Sequence, residues 1–508
     1  MAAVQCAGRM LASLLLLLST AVGLVTAPVA HAAPGSGPGW GSCTPWVQNP
    51  AAIPTAQCAM LQVPVDWDGA WNPADPQSGQ VQLAVIRIPA TGDRIGTLMV
   101  NPGGPGASAV DTVAGMGAAL AGSPLTDRFD LVGFDPRGVG HSTPQLRCRT
   151  DAEIDAYRRE PMADYSPAGV AHIEGLRRQF AQQCLDRMGA PFLANVGTAS
   201  AVRDMDAVRK ALGEEQINYL GFSYGTQLGA AYAEQFGQHV RTMVLDGAID
   251  PGLDPITKNI RQMAGFQKAF ETYAAHCAQS AGCPLGTDPA GFVDRYHQLI
   301  NPLVTAPARS TDPRGLGYAD AITGTGNALY SARYWPYLTS GLLGLARGTD
   351  PGDLLLLADD YWRRDASGRY QNLQDAFTAI RCVDAPFPTD PAVWADADRQ
   401  IRAAAPFMAY GQFTGYAPRD ICALWPVPAT SVPHPATGPG PGKVVVVSTT
   451  GDPATPYQAG VSLAQQMGAA LISFDGVQHT VVFNGDACVD TAVLDFLVHQ
   501  TSPGNRSC

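Results

Sequence analysis

A basic excess is missing from this 508-residue chain: 33 Lys and Arg stand against 44 Asp and Glu, for a formal net charge of −11. No Lys/Arg cluster offsets that balance. A surface that grips phosphates needs such an excess, so nucleic acid is excluded as the expected partner. Cys-x-x-Cys spacing is also missing, which argues against a zinc site or a thioredoxin-like redox centre. No metal and no cofactor is expected. Charged residues are sparse at 15%, against 46% hydrophobic. That composition is globular, and the length suffices for one large core plus an inserted domain. After the first 32 residues, no segment reads as transmembrane, so none is expected in the mature chain.

What is present at the N-terminus is a targeting signal. Arg9 precedes an apolar run from Leu11 to Val25, and Ala30-His31-Ala32 fits an A-x-A cleavage site. Cleavage near Ala32 removes Arg9 and takes the formal charge from −11 to −12. Cys6 lies before the apolar run, which is not the position of a lipid-attachment cysteine. A secreted or cell-envelope-associated protein is therefore expected, released or loosely held. Of 11 Cys, ten remain after cleavage, an even number that suggests five disulfides in an exported chain. Spacing alone leaves the connectivity open. Order along the chain suggests near-neighbour pairs: Cys43–Cys58, Cys148–Cys184, Cys277–Cys283, Cys382–Cys422 and Cys488–Cys508.

Buried-strand patterns recur at 81–88, 96–100, 129–134, 217–220 and 240–247, with the helix 198–212 before the fourth. This alternation implies a parallel sheet with helices on both faces. After Pro251 the chain turns helical and loop-rich to about Pro433. Strand patterns return at Lys443–Ser448 and Ala470–Phe474. The expected organisation is a signal peptide over 1–32, a core over 33–250, an inserted lid over 251–433, and the rest of the core over 434–508.

Chemistry concentrates where strands end. Gly221-Phe222-Ser223-Tyr224-Gly225 matches G-x-S-x-G and occurs once. It reads as a nucleophilic serine on a tight strand-to-helix turn. A serine hydroxyl is a poor nucleophile until a base takes its proton and an acid orients that base. Asp452 follows a buried strand and His479 lies after the next one, giving the order Ser, Asp, His. Singly, Asp452 reads equally as a turn former and His479 as a loop histidine. Their joint order and strand-end placement favour a triad. The loop Asn101-Pro102-Gly103-Gly104-Pro105-Gly106 offers backbone N–H groups, with Gly104 and Tyr224 as the expected oxyanion donors. Asp135 and Arg137 read as a structural ion pair beside this loop.

These stretches, with Phe134-Asp135-Pro136-Arg137-Gly138, Gly451-Asp452-Pro453-Ala454-Thr455-Pro456, Gln478-His479-Thr480 and Arg381-Cys382-Val383-Asp384, resemble the exported tripeptidyl aminopeptidase-like α/β-hydrolases. These are relatives of the prolyl iminopeptidases and include mycobacterial cell-envelope members. The resemblance implies an α/β-hydrolase fold, with a mostly parallel sheet and a mainly helical inserted lid. It also implies a peptidase or carboxylesterase with Ser223 as nucleophile, Asp452 as acid and His479 as base. Pro102 stands where iminopeptidases usually carry His. The expected partner is a peptide or ester substrate, with a cell-envelope protein or envelope lipid among the candidates. An exopeptidase that reads a free N-terminus needs a fixed carboxylate, and Asp384 is the candidate. Its alternative reading is a cap or turn in the lid.

Overall fold

The computed structural model describes residues 38–73, 75 and 79–508. The leader expected over 1–32, its cleavage site and Cys6 lie outside them.

Nine strands form one sheet: β1 Gln57–Pro64, β2 Gln80–Ile88, β3 Gly96–Asn101, β4 Phe129–Phe134, β5 Ile217–Phe222, β6 Val240–Asp246, β7 Val444–Thr449, β8 Ala470–Phe474 and β9 Arg506–Ser507. Their order across the sheet is β1-β2-β4-β3-β5-β6-β7-β8-β9. β1 and β2 pair antiparallel, as do β2 and β4, and every later pair is parallel. Sequence reading missed β1, because Gln57 to Pro64 mixes Gln, Cys and Pro into its apolar run. The sheet is mostly parallel, as expected, and β1 and β2 add an antiparallel edge joined by an eight-residue register.

The parallel strands are buried on both faces, which requires near-continuous apolar runs. Val444, Val445, Val446 and Val447 of β7 are all inaccessible or nearly so. The period of two splits them between layers. Val444 and Val446 join a core with Met99, Met243 and helix Tyr224–Phe236. Val445 and Val447 join the opposite core with Val100, Leu131 and helix Ala487–His499. The result is helix, sheet, helix.

Between β6 and β7 the described residues form helices and no sheet strand. Helix Pro255–Cys277 packs Phe270 face to face with Phe407 at 4.5 Å. With Tyr296, Leu338 and Leu354 they build a third hydrophobic core, separate from the two that flank the sheet. Five disulfides join Cys43–Cys58, Cys148–Cys184, Cys277–Cys283, Cys382–Cys422 and Cys488–Cys508. Among the described residues no helix is long and apolar enough to cross a membrane.

The expected Asp135–Arg137 ion pair does not form. Asp135 follows β4 and faces helix Ala109–Ala119, accepting from Ser108 Oγ at 2.8 Å, Val110 N at 3.0 Å and His141 N at 2.8 Å. Burial outweighs these donors and pushes its carboxyl up to about 6. Arg137 turns the other way. Its guanidinium meets both oxygens of Asp204 at 2.7 Å, with both side chains wholly buried. Carbonyls of Pro64, Val65 and Asn195 take its remaining donors, as a buried charge pair requires.

Candidate active site

β5 ends at Phe222, and Ser223 follows with φ 55 and ψ −121 before helix Tyr224–Phe236 begins. A non-glycine residue held at such angles costs roughly 1–3 kcal/mol and persists only where its surroundings enforce it. Here the Ser223 N–H donates to the Asp246 carbonyl at 2.9 Å, and its own carbonyl accepts from Thr226 N at 2.8 Å. The turn is so tight that a β-carbon on Gly221 would lie 2.4 Å from the Gly225 carbonyl oxygen. The side chain of Ser223 faces a cavity of about 1310 Å³. Among the described residues its hydroxyl has no hydrogen-bond partner.

The loop after β3 closes on this turn. Gly103 has φ 89, and a β-carbon there would stand 2.4 Å from the Phe222 carbonyl oxygen and 2.9 Å from Tyr224 N. Only glycine permits that approach. The Gly103 N–H is committed to Asn101 Oδ1 at 2.9 Å. Gly104 and Tyr224 both line the cavity beside Ser223, and neither N–H is engaged elsewhere among the described residues.

Asp452, just past β7, is 3% exposed. It accepts from Ala454 N at 2.8 Å, Thr455 N at 2.9 Å and Thr455 Oγ1 at 2.8 Å. Its two oxygens lie 3.0 and 2.9 Å from His479 Nδ1. With Nδ1 donating there, Nε2 is the basic nitrogen. Burial disfavours the charged imidazole, but the neighbouring Asp452 and Asp246 outweigh it and hold His479 above its ordinary pKa. The His479 N–H donates to the Tyr330 carbonyl at 2.9 Å, and the two rings meet edge to face at 5.4 Å. His479 stands beside Gly247, the residue after β6: a β-carbon there would lie 3.1 Å from His479 Cε1. The His479 ring bonds Asp452 and Thr455, and among the described residues no hydrogen bond joins it to the Ser223 hydroxyl.

Asp384 ends helix Leu373–Asp384 and also lines the cavity. It accepts from Thr198 N at 2.7 Å, Thr198 Oγ1 at 2.6 Å and Gln227 Nε2 at 3.2 Å. It thus caps helix Thr198–Ala211, whose N-cap is Gly197. Burial pushes Asp384 up to about 6, against the Thr198 donors and the nearby Lys258 charge.

Sequence reading missed three participants. Thr455 braces Asp452, and its signal was the hydroxyl three residues beyond Asp452, placed to bond back to it. Tyr330 holds His479 from the helical segment, and nothing local could reveal it. Asp246 ends β6 fully buried, and its Oδ2 accepts from Val481 N at 2.7 Å and Val482 N at 2.8 Å. A carboxylate closing the apolar run Met243-Val244-Leu245 was the available clue.

The model of the alpha/beta hydrolase fold family matches residues 96–486. Carboxylesterase B of Mycobacterium tuberculosis is 63% identical over 464 residues, covering 91% of this chain and 88% of its own. Serine protease Hip1 of the same organism is 53% identical over 470 residues, with the same coverage of 91% and 88%. A tripeptidyl aminopeptidase of Streptomyces lividans is 32% identical over 477 residues, covering 90% of this chain and 84% of its own.

Proposed function

The chain belongs to the alpha/beta hydrolase fold family, and on that premise we propose that it is an exported serine hydrolase that releases short peptides, tripeptides among them, from free N-termini. The observation that carries the mechanism is the clasp of Asp452 on His479 Nδ1 at 2.9 and 3.0 Å. It fixes the ring with Nε2 free to act as base. Ser223 Oγ attacks the scissile carbonyl as Nε2 takes its proton. The oxyanion meets the N–H groups of Gly104 and Tyr224, which cost no reorganisation at the moment of reaction. His479 returns the proton to the leaving amine, and an acyl-enzyme remains on Ser223. Water then attacks it, with His479 again as base.

The residues 251–433 act as the lid, and their helices supply cavity walls opposite the sheet. Asp384 meets the substrate ammonium from that wall. Burial pushes its carboxyl up to about 6, still on the ionised side at neutral pH, as an ammonium partner must be. Export with cleavage near Ala32 agrees with five disulfides, which persist in oxidising compartments.

A second reading is a carboxylesterase for small esters or envelope lipids, favoured by the 63% identity to carboxylesterase B. Purified protein is assayed on a tripeptide anilide and on a p-nitrophenyl ester, each beside Ser223→Ala. A free-amine tripeptide cleaved in preference to its N-acetylated form supports the aminopeptidase reading. Turnover of the ester alone, lost in Ser223→Ala, replaces it with the esterase. Turnover retained in Ser223→Ala removes both.

A further inference from the structure

Asp246 joins parts of the site that arrive from distant stretches of chain. Its main-chain carbonyl accepts from the N–H of Ser223 at 2.9 Å. Its side-chain Oδ2 accepts from the N–H groups of Val481 and Val482, two and three residues beyond His479. That segment is unusual in backbone: Thr480 sits at φ 64 and Phe483 at φ 58. Neither is glycine, so the surroundings must hold the turn in place. One residue therefore fixes the serine through its backbone and the histidine loop through its side chain.

The other oxygen, Oδ1, is buried without a hydrogen-bond partner among the described residues. A buried carboxylate with one oxygen unpaired is expensive to keep. The two backbone bonds to Oδ2 satisfy half of the carboxylate and leave that oxygen as a constant cost. Burial pushes the Asp246 carboxyl up to about 7, against the Val482 and Val481 donors and the His479 charge, with Asp452 pushing it further up. The titratable groups that face it are His479, from the loop after β8, and Asp452, from the loop after β7. A neutral amide in its place would make the same two backbone bonds, so geometry alone does not require an acid at this position.

We propose that Asp246 is a positioning residue for the hydrolytic site, which aligns Ser223 with His479 and places a second negative charge behind the imidazolium that forms during turnover. Asp452 orients the ring by direct contact. Asp246 acts through the loop that carries the ring and through its field. This inference rests on the serine-hydrolase reading, and the test separates the two.

The acid limb of kcat/KM is measured on an ester for the wild type, Asp246→Asn and Asp246→Ala, alongside the rate of Ser223 labelling by an organophosphonate. Activity needs neutral His479, and Asp246, in the fraction ionised around its raised pKa of about 7, stabilises the protonated form. Removing that charge therefore lowers the pH of the acid limb. Asp246→Asn retains an acceptor for Val481 and Val482, so it is expected to keep kcat within a few-fold while its limb moves down. Asp246→Ala loses the anchor and is expected to lose about 10²-fold in kcat, with labelling slowed in parallel and KM little changed. An unmoved limb in Asp246→Asn overturns the electrostatic role. A kcat in Asp246→Ala equal to that of Asp246→Asn overturns the alignment role. If Asp246→Ala does not fold, the labelling rate and limb of Asp246→Asn decide alone. Wild-type protein that resists labelling at Ser223 removes the serine-hydrolase reading itself, whatever the variants do.

Discussion

The floor and the wall of the cavity are built by opposite means. The floor lies at the carboxyl edge of the sheet and works through backbone. Ser223 stands at φ 55, Gly103 abuts the turn closely enough to exclude a side chain, and Asp452 has four donors within 3.0 Å. The wall comes from the helices between β6 and β7 and works through side chains: Lys258, Asp384, and the Arg381–Asp420 pair at 2.9 Å. Backbone groups are fixed by the fold, so they suit a charge that develops at one point whatever the substrate. Side chains can differ at little cost to the scaffold, so they suit the choice of substrate. On this division, chemistry belongs to the floor and selectivity to the wall.

The largest effect should come from the floor and be blind to substrate. His479→Ala removes the base and is expected to cut kcat about 10⁴-fold or more on a peptide anilide and on a p-nitrophenyl ester alike. Steady-state rates on both substrates measure this. A wild-type-like rate on either one breaks the assignment of His479 and with it the role given to the floor.

A smaller and selective effect should come from the wall. Asp384→Asn keeps an oxygen for the Thr198 N–H and removes the charge. The kcat/KM for a free-amine tripeptide is expected to fall about 10-fold or more, equivalent to roughly 1.4 kcal/mol of binding, with the ester rate unchanged. Equal losses on both substrates would make Asp384 a helix cap and nothing more. Unchanged rates on both would remove it from the site.

The floor was more legible in the sequence than the wall, for a physical reason. Tight turns at strand ends demand particular residues, so Gly221, Ser223 and the glycines after Asn101 announce themselves locally. Val444 to Val447 likewise announce a strand covered on both faces. β1 was hidden because an antiparallel edge strand tolerates Gln and Pro, and its pairing with β2 is a property of two segments. The Arg137–Asp204 pair was misassigned to Asp135 because adjacency in sequence does not fix direction. Asp135 and Arg137 leave the end of β4 towards different helices. The contacts of the wall are all of this second kind. Tyr330 meets His479 across 149 positions of chain and Asp384 meets Thr198 across 186, and neither partner carries a local mark.

The comparison also sets what should happen when the wall is loosened without touching any group that lines the cavity. Cys382–Cys422 closes a loop of sequence separation 40 and joins the helix that ends in Asp384 to the segment carrying Asp420. Cross-linking stabilises chiefly by restricting the unfolded chain, and a loop of this length is worth about 2–4 kcal/mol. Cys382→Ala with Cys422→Ala should therefore lower the midpoint of thermal unfolding. In the folded protein the helix is still packed by Ala376, Ala379, Ile380 and Val383 in the main core, so Asp384 stays near its place with more freedom. The expected outcome is a KM for the tripeptide raised a few-fold, through a less fixed ammonium partner, with ester kcat unchanged. A loss of ester kcat as large as that on the peptide would mean that this disulfide shapes the floor as well, and the division between the two regions would fail.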